Sequence, residues 1–148
     1  MSKLLGTPYE VGKSTAVISR LPTSGTILEE GLFVKQAVAG FVSLANAGGT
    51  GAAIPFGIVG QQEAVACAVV ISGLKVAVQL DESITPTAGQ PVYVSAVTSK
   101  ATNVSNSGAN YLTAGTFTGT NGTDGIMSNV GTPVANKKWA EINMPNGL

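Results

Sequence analysis

Apolar residues along this chain come in short runs, cut every few positions by Gly, Pro, Thr, Ser or Asn. No stretch holds the i, i+3, i+4, i+7 spacing of an amphipathic helix for long before a Gly or Pro interrupts it. The nearest to a helix is Gln61–Val70, yet its Val- and Ala-rich run fits a strand equally well. The clearest alternation is Leu74–Leu80. It puts Leu74, Val76, Val78 and Leu80 on one face and Lys75, Ala77 and Gln79 on the other. Further strands are expected at 32–35, 40–44, 55–59 and 91–94, with turns at Glu29–Gly31, Ser72–Gly73 and Asp81–Glu82. Ala64–Ile71 is apolar at both parities, as in a strand buried on both faces. Trp139, Ala140, Ile142 and Met144 read as a last strand with one buried and one wet face. Short strands at close spacing predict an all-β domain, a small barrel or sandwich.

Two segments stand outside that pattern. Residues 1–27 carry Gly6, Pro8, Gly12, Pro22 and Gly25 among scattered apolar residues. They are expected as an extended N-terminal arm that lies on another surface, or as a tail with one edge strand. Residues 28–148 are expected as the barrel domain. Within it the interval 103–124 is rich in Asn, Thr and Gly. It is expected as a long loop of a functional or disordered kind, or as a two-stranded excursion through 111–113 and 116–118. Arm and loop supply the residues expected to contact a partner or another subunit: Tyr9, Val11, Val17, Ile18, Tyr111, Leu112 and Phe117.

The chain also echoes itself. Gly31–Lys35 (GLFVK) is followed by Gly40–Ser43 and then by Gly57-Ile58-Val59. Gly89–Val94 (GQPVYV) is followed by Lys100–Thr102 and then by Gly125-Ile126-Met127. Two related halves closing one barrel would give this pattern.

Composition narrows the function. Charged residues are 11% of the chain, against about 25% in an ordinary domain. Net charge is zero. A surface so poor in charge implies that much of it meets other protein; a Thr/Ser/Asn-coated secreted protein is the other reading. The longest basic run is Lys137-Lys138, far from the stripe that nucleic acid requires. The longest apolar run falls well short of the roughly 20 residues of a membrane helix, and no apolar leader follows Lys3, so the protein is expected to be made and kept in a cytoplasm, or exported by means the sequence does not show.

Chemistry is thinly supplied. There is no His, which removes Ser-His-Asp and Cys-His catalysis and His-ligated zinc. The single Cys67 lies in an apolar run and reads as a small buried hydrophobe. Gly12-Lys13-Ser14-Thr15 looks like the end of a phosphate-binding loop. However, Gly6 stands five residues ahead of Gly12 where that loop needs four, and Pro22 and Gly25 stop any long helix from following. The pairs Glu29-Glu30 and Asp81-Glu82 sit in turns and are expected to be solvated. No enzymatic activity, metal or cofactor is expected.

The segments Gly31–Lys35, Gly73–Val78 (GLKVAV) and Thr87–Val94 (TAGQPVYV), the last followed by Lys100-Ala101-Thr102, resemble the capsid cement (head decoration) proteins of tailed bacteriophages. The likeness runs over about 27–144 and departs from that family in the N-terminal arm and the 103–124 insertion. It implies a Gly-rich β-barrel that acts as a structural virion protein on the capsid exterior, made in the bacterial host cytoplasm. Its partner would be the major capsid protein, clamped across neighbouring subunits to stabilise the expanded head. The protein itself would be a homo-oligomer, a trimer in first place or else a dimer, with no nucleic-acid or membrane partner. Two other classes stay open: another virion component such as a tail or head-fibre protein, and a secreted adhesin or carbohydrate-binding module. The last would have to use Tyr9, Tyr93, Tyr111 or Trp139 as its platforms.

Overall fold

A computed structural model describes residues 3–10, 15–22, 28–36, 40–45, 54–62, 66–128 and 134–148. These residues are all-β, with no helix among them. The strands are β1 (Lys3–Leu4), β2 (Pro8–Glu10), β3 (Ala16–Pro22), β4 (Phe33–Gln36), β5 (Phe41–Leu44), β6 (Pro55–Gln62), β7 (Cys67–Gln79), β8 (Pro91–Val94), β9 (Ala101–Thr102), β10 (Tyr111–Met127) and β11 (Val134–Met144).

Their hydrogen-bonded order is β5-β4-β6-β7-β11-β10-β8-β9, which reads as the same four-strand pattern taken twice in opposite directions. In the first half β4 lies between β5 and β6, and β6 leads to β7. In the second, β8 lies between β9 and β10, and β10 leads to β11. This is the structural form of the echo in the sequence. The halves do not close one barrel, as the echo alone would have it; they make two rings. In ring one β3 joins β5 to the first part of β7, completing β3-β5-β4-β6-β7. In ring two the bridge Leu80–Ala101 joins β9 to the end of β7, completing β7-β11-β10-β8-β9. Closure removes most free strand edges, which are the usual route to unwanted pairing.

β7 belongs to both rings. The turn expected at Ser72–Gly73 is absent; the strand runs through it and kinks. Lys75 takes a left-handed conformation (φ 52°), and its N–H donates to the Asn143 side chain at 2.9 Å. The kink carries one strand from the first ring to the second.

Ring one is filled by Leu28, Val34, Val42, Val59, Cys67 and Val69. The opposite side of the same wall presents Phe33, Ile58 and Val70, which join Val76, Val78, Val92, Phe117 and Ile142 in the larger core of ring two. Both faces of the shared wall are therefore buried, and this is why the run ending at Ile71 shows no alternation. Cys67 is buried, and desolvation pushes its thiol pKa up, as for an inert core residue.

The predicted arm is corrected by these contacts. Its described residues lie on the chain's own sheets rather than reaching outward. β1 pairs in parallel with β10, β2 pairs with β7, and β3 is a wall of ring one. Leu5 is fully buried with Ala77, Met127 and Trp139. Gly6 adopts φ +69° and crosses so near β6 that a Cβ would stand 2.0 Å from the Val59 carbonyl oxygen. Residues 3–10 thus form a strap over both rings. The reason alternation missed it is that its strands are two and three residues long, too short to show a period.

The strap also explains Ala77 and Gln79. Their face of β7 was expected to be the polar one, yet both are buried. Leu5 covers Ala77, while the Gln79 amide donates to the Glu30 carbonyl at 2.9 Å and to the Glu29 carboxylate at 3.1 Å. Glu30 is buried too, unlike a solvated turn residue, and its carboxylate accepts the Ser128 N–H at 2.6 Å.

The long loop is corrected as well. From Tyr111 the interval is not a loop or a two-stranded excursion but the single 17-residue strand β10. Thr113, Gly115 and Phe117 point inward and Leu112, Ala114 and Thr116 outward. Only 103–110 remains loop. Small residues here hide a strand whose partners on both sides, β8 and β11, supply the stabilisation that its own propensity lacks.

Candidate interaction faces

The seven expected contact residues separate. Phe117 is 2% exposed and part of the ring-two core, so it is not available to a partner. Ile18 and Tyr111 are half-buried against the two cores. Val11 lies outside the described residues, as do Gly12, Lys13 and Ser14 of the phosphate-loop look-alike, whose described continuation is strand β3 rather than a helix. Tyr9, Val17 and Leu112 are exposed, at 41%, 50% and 54%.

Tyr9 belongs to a clamp rather than to an open surface. Its hydroxyl bonds the backbone of Leu4, and its ring lies 4.2 Å from the Lys3 ammonium. That ammonium also lies over Trp139 and pairs with the buried Glu141 carboxylate at 3.0 Å. Trp139 is 4% exposed, against the expectation of a half-wet final strand, and its indole N–H donates to Asp124 at 2.8 Å. This bond holds the Asp124 carboxyl below its ordinary pKa. Buried in this way, Trp139 offers no flat platform to a sugar.

Leu112 lies on a face that the duplicated topology repeats in ring one, whereas Val17 lies on β3, which has no counterpart in ring two. In ring one Lys35 of β4 stands opposite Ser43 on β5 and Pro55 on β6. In ring two Tyr93 of β8 stands opposite Thr102 on β9 and Leu112 on β10. Lys35 and Tyr93 also correspond in the sequence echo, each one residue past the inward Val34 or Val92. Around Lys35 the outer wall adds Ile54 (64% exposed) and the Leu21–Phe41 pair. Past the ends of β8 and β9, Val97 (78%) and Val104 (48%) are exposed. Sequence reasoning missed Lys35, Ile54, Val97 and Val104, and weighed Tyr93 only as a sugar platform. The signal lay in the echo, which aligns a cation with a tyrosine.

A small cleft of about 210 Å³ lies beside ring two, lined by Asp81, Glu82, Thr98 and Lys100. Asp81 is held below the usual carboxylate range, first by the Ser83 N–H and hydroxyl and then by the charges of Lys100 and Lys138. Lys138 donates to the Glu82 and Ile84 carbonyls, which fixes this turn. Among the described residues no three His, Cys, Asp or Glu side chains come together as a metal site. Comparison with protein-family models, with curated proteins and with solved structures found no match to this chain.

Proposed function

We propose that the protein is a structural virion component that binds the outer capsid surface and cements neighbouring major capsid protein subunits. The observation that carries this reading is the pair of equivalent outer faces, each bearing exposed apolar side chains, held in fixed relation by the shared strand β7. A module that joins two surfaces needs two docking faces and a stiff body between them. Closed rings with a common core supply the stiffness. Such a module acts by mass action. It binds the assembled shell and not separated subunits, so it stabilises the shell by its binding free energy. Contacts at more than one point raise the effect further. The resemblance in the segments around Gly31, Gly73 and Gly89 points the same way.

The test is co-sedimentation with expanded capsids of the phage that encodes the chain. Saturable binding at a fixed ratio to the shell protein, with a rise in the capsid's thermal disruption temperature, is the expected result. Absence of binding at about 0.1 mM protein, where even a weak specific contact is populated, refutes the proposal.

A further inference from the structure

We propose that the free edge of β3 takes an added strand from a protein partner, and that the Arg20 guanidinium binds a carboxylate on that strand. The proposal names the chemistry of the added segment and stands apart from the capsid reading. The first observation is the edge. β3 pairs with β7 along Ala16–Arg20 but with β5 only at Leu21 and Pro22. The Leu21 N–H donates to the Gly40 carbonyl at 3.1 Å, on the side away from β7. Backbone groups along a strand alternate sides, and the β3–β7 register is unbroken from Val17 to Arg20. The N–H and C=O groups of Val17 and Ser19 therefore point to that same side, where no described strand pairs with them. An open edge of this kind is a template for another chain.

The second observation is an unanswered charge. Among the described residues Lys3, Lys75, Lys100 and Lys137 each lie within 4.0 Å of a carboxylate, and Lys138 donates to two carbonyls. Arg20, the only arginine in the chain, pairs with no carboxylate among the described residues. Its Nη1 donates to the Ser19 carbonyl at 2.9 Å, while its Nε is buried without a partner. The guanidinium thus lies along the open edge and caps one of its carbonyls. Arg20 is half-buried and stands opposite Cys67, which belongs to the aliphatic interior of ring one. Loss of water there makes an unpaired charge costly and a charge-assisted hydrogen bond strong.

Together the two observations select the occupant. A row of backbone donors and acceptors selects an extended polypeptide. The Nε–H and the second terminal amino group form a planar fork that matches a carboxylate through two parallel hydrogen bonds. One guanidinium neutralises one carboxylate. A phosphate would call for further cations, and Lys35, the other described cation without a carboxylate, is on β4 with β5 between. An added strand supplies its own N–H to the Ser19 carbonyl and so releases the guanidinium for the carboxylate.

The test is heteronuclear NMR of the full chain, in which a single arginine gives a single Nε–H signal. The probes are the peptide acetyl-Thr-Val-Glu-Val-Thr-amide, its counterpart with Gln for Glu, and inorganic phosphate. In the free chain the Val17 and Ser19 amides are expected to exchange with solvent at least about 100-fold faster than those of Ile18 and Arg20, which face β7. The Glu peptide is expected to shift the Arg20 Nε–H and the Val17 and Ser19 amides together, with a Kd of about 1 mM, and the Gln peptide to bind about 10-fold more weakly. Arg20→Lys keeps the charge but loses the fork, and should bring the Glu peptide down to the Gln level; Lys35→Gln should change nothing. Circular dichroism checks that both variants are folded. Slow exchange at Val17 and Ser19, no shift by about 10 mM Glu peptide, or equal binding of the two peptides overturns the inference. So does an Arg20→Lys protein that binds the Glu peptide like wild type. Phosphate that binds as tightly as the Glu peptide, or a Glu peptide that moves the Nε–H but not the edge amides, also overturns it, since the site would then serve a bare anion. None of these outcomes depends on capsids, so the cementing role stands or falls separately.

Discussion

The two rings repeat one strand order yet differ in what surrounds them. Ring one gives up part of its outside: its interior is aliphatic, and Phe33, Ile58 and Val70 on the backs of β4, β6 and β7 are covered by ring two. Ring two has a covered interior and an open outer face, with Phe117 inside and Leu112 outside on one strand. The comparison shows how one topology gives two sequence textures. Where a wall is shared, alternation disappears. Where it faces out, alternation survives but in small, weakly apolar residues. The difference also separates roles, because only an unshared wall can be given to a partner.

The sharing itself is the part most open to attack. Phe33 springs from a ring-one strand and is fully buried in the ring-two core. Phe33→Ala should cost about 3–5 kcal/mol, the usual loss for a large buried aromatic. It should do so in one cooperative step seen by both Trp139 fluorescence and far-ultraviolet circular dichroism. Two separated transitions would mean that the rings fold independently.

The strap is next. Gly6→Ala introduces a Cβ at 2.0 Å from the Val59 carbonyl in a left-handed conformation. A loss of roughly 3 kcal/mol is expected in chemical denaturation, from strain and forced displacement together. A variant as stable as wild type would show that the strap is not held against ring one.

Lys3→Ala tests the other end of the strap, on ring two. It leaves the Glu141 carboxylate, 6% exposed, without its ammonium partner. Because Lys3 keeps a quarter of its side-chain exposure, the loss should fall between those of surface and buried pairs, about 2 kcal/mol. Restoring stability with Lys3→Arg, which keeps the charge, would separate the ion pair from simple packing.

The smallest effect concerns the Asp81 turn. Its folded pKa is depressed, so its contribution is fully present above the unfolded value and fades as pH falls through the folded one, below about pH 4. Ser83→Ala removes the hydroxyl donor and leaves the N–H. The acid loss of stability between pH 6 and pH 2 should shrink by a fraction of a kcal/mol, Asp81 being well solvated. An unchanged pH profile would mean that the hydroxyl adds nothing.

Much of this architecture was legible. The all-β class, the β4, β5, β6 and β8 strands and the buried face of Val76, Val78 and Leu80 follow from period and turn chemistry alone. So does the repetition of one strand order, through the echo, though not its closure into two rings. The segments assigned to partners were the misreadings. Residues 3–10 and 16–22 and the strand from Tyr111 to Met127 are short-patterned, Gly-interrupted or Thr-rich, and none declares a face by itself.

The contact residues divide along the same line. That Leu112 is exposed and Phe117 buried follows from their opposite parity on β10, once it is known to be one strand. That Tyr93 and Lys35 occupy equivalent places needed the pairing register.

By itself, then, the amino-acid sequence determined the strand-forming pattern, the scarcity of charge, the lack of His and the duplicated order of its halves. Those are local or compositional properties, written in neighbouring residues. Only the tertiary structure decided that the halves close into two rings, that the N-terminal residues strap them together, and which face each ring leaves open. Those outcomes depend on pairings between residues far apart in the chain, such as Lys3 with Glu141 and Leu80 with Ala101. A periodicity within one segment carries no record of the strand that will lie beside it.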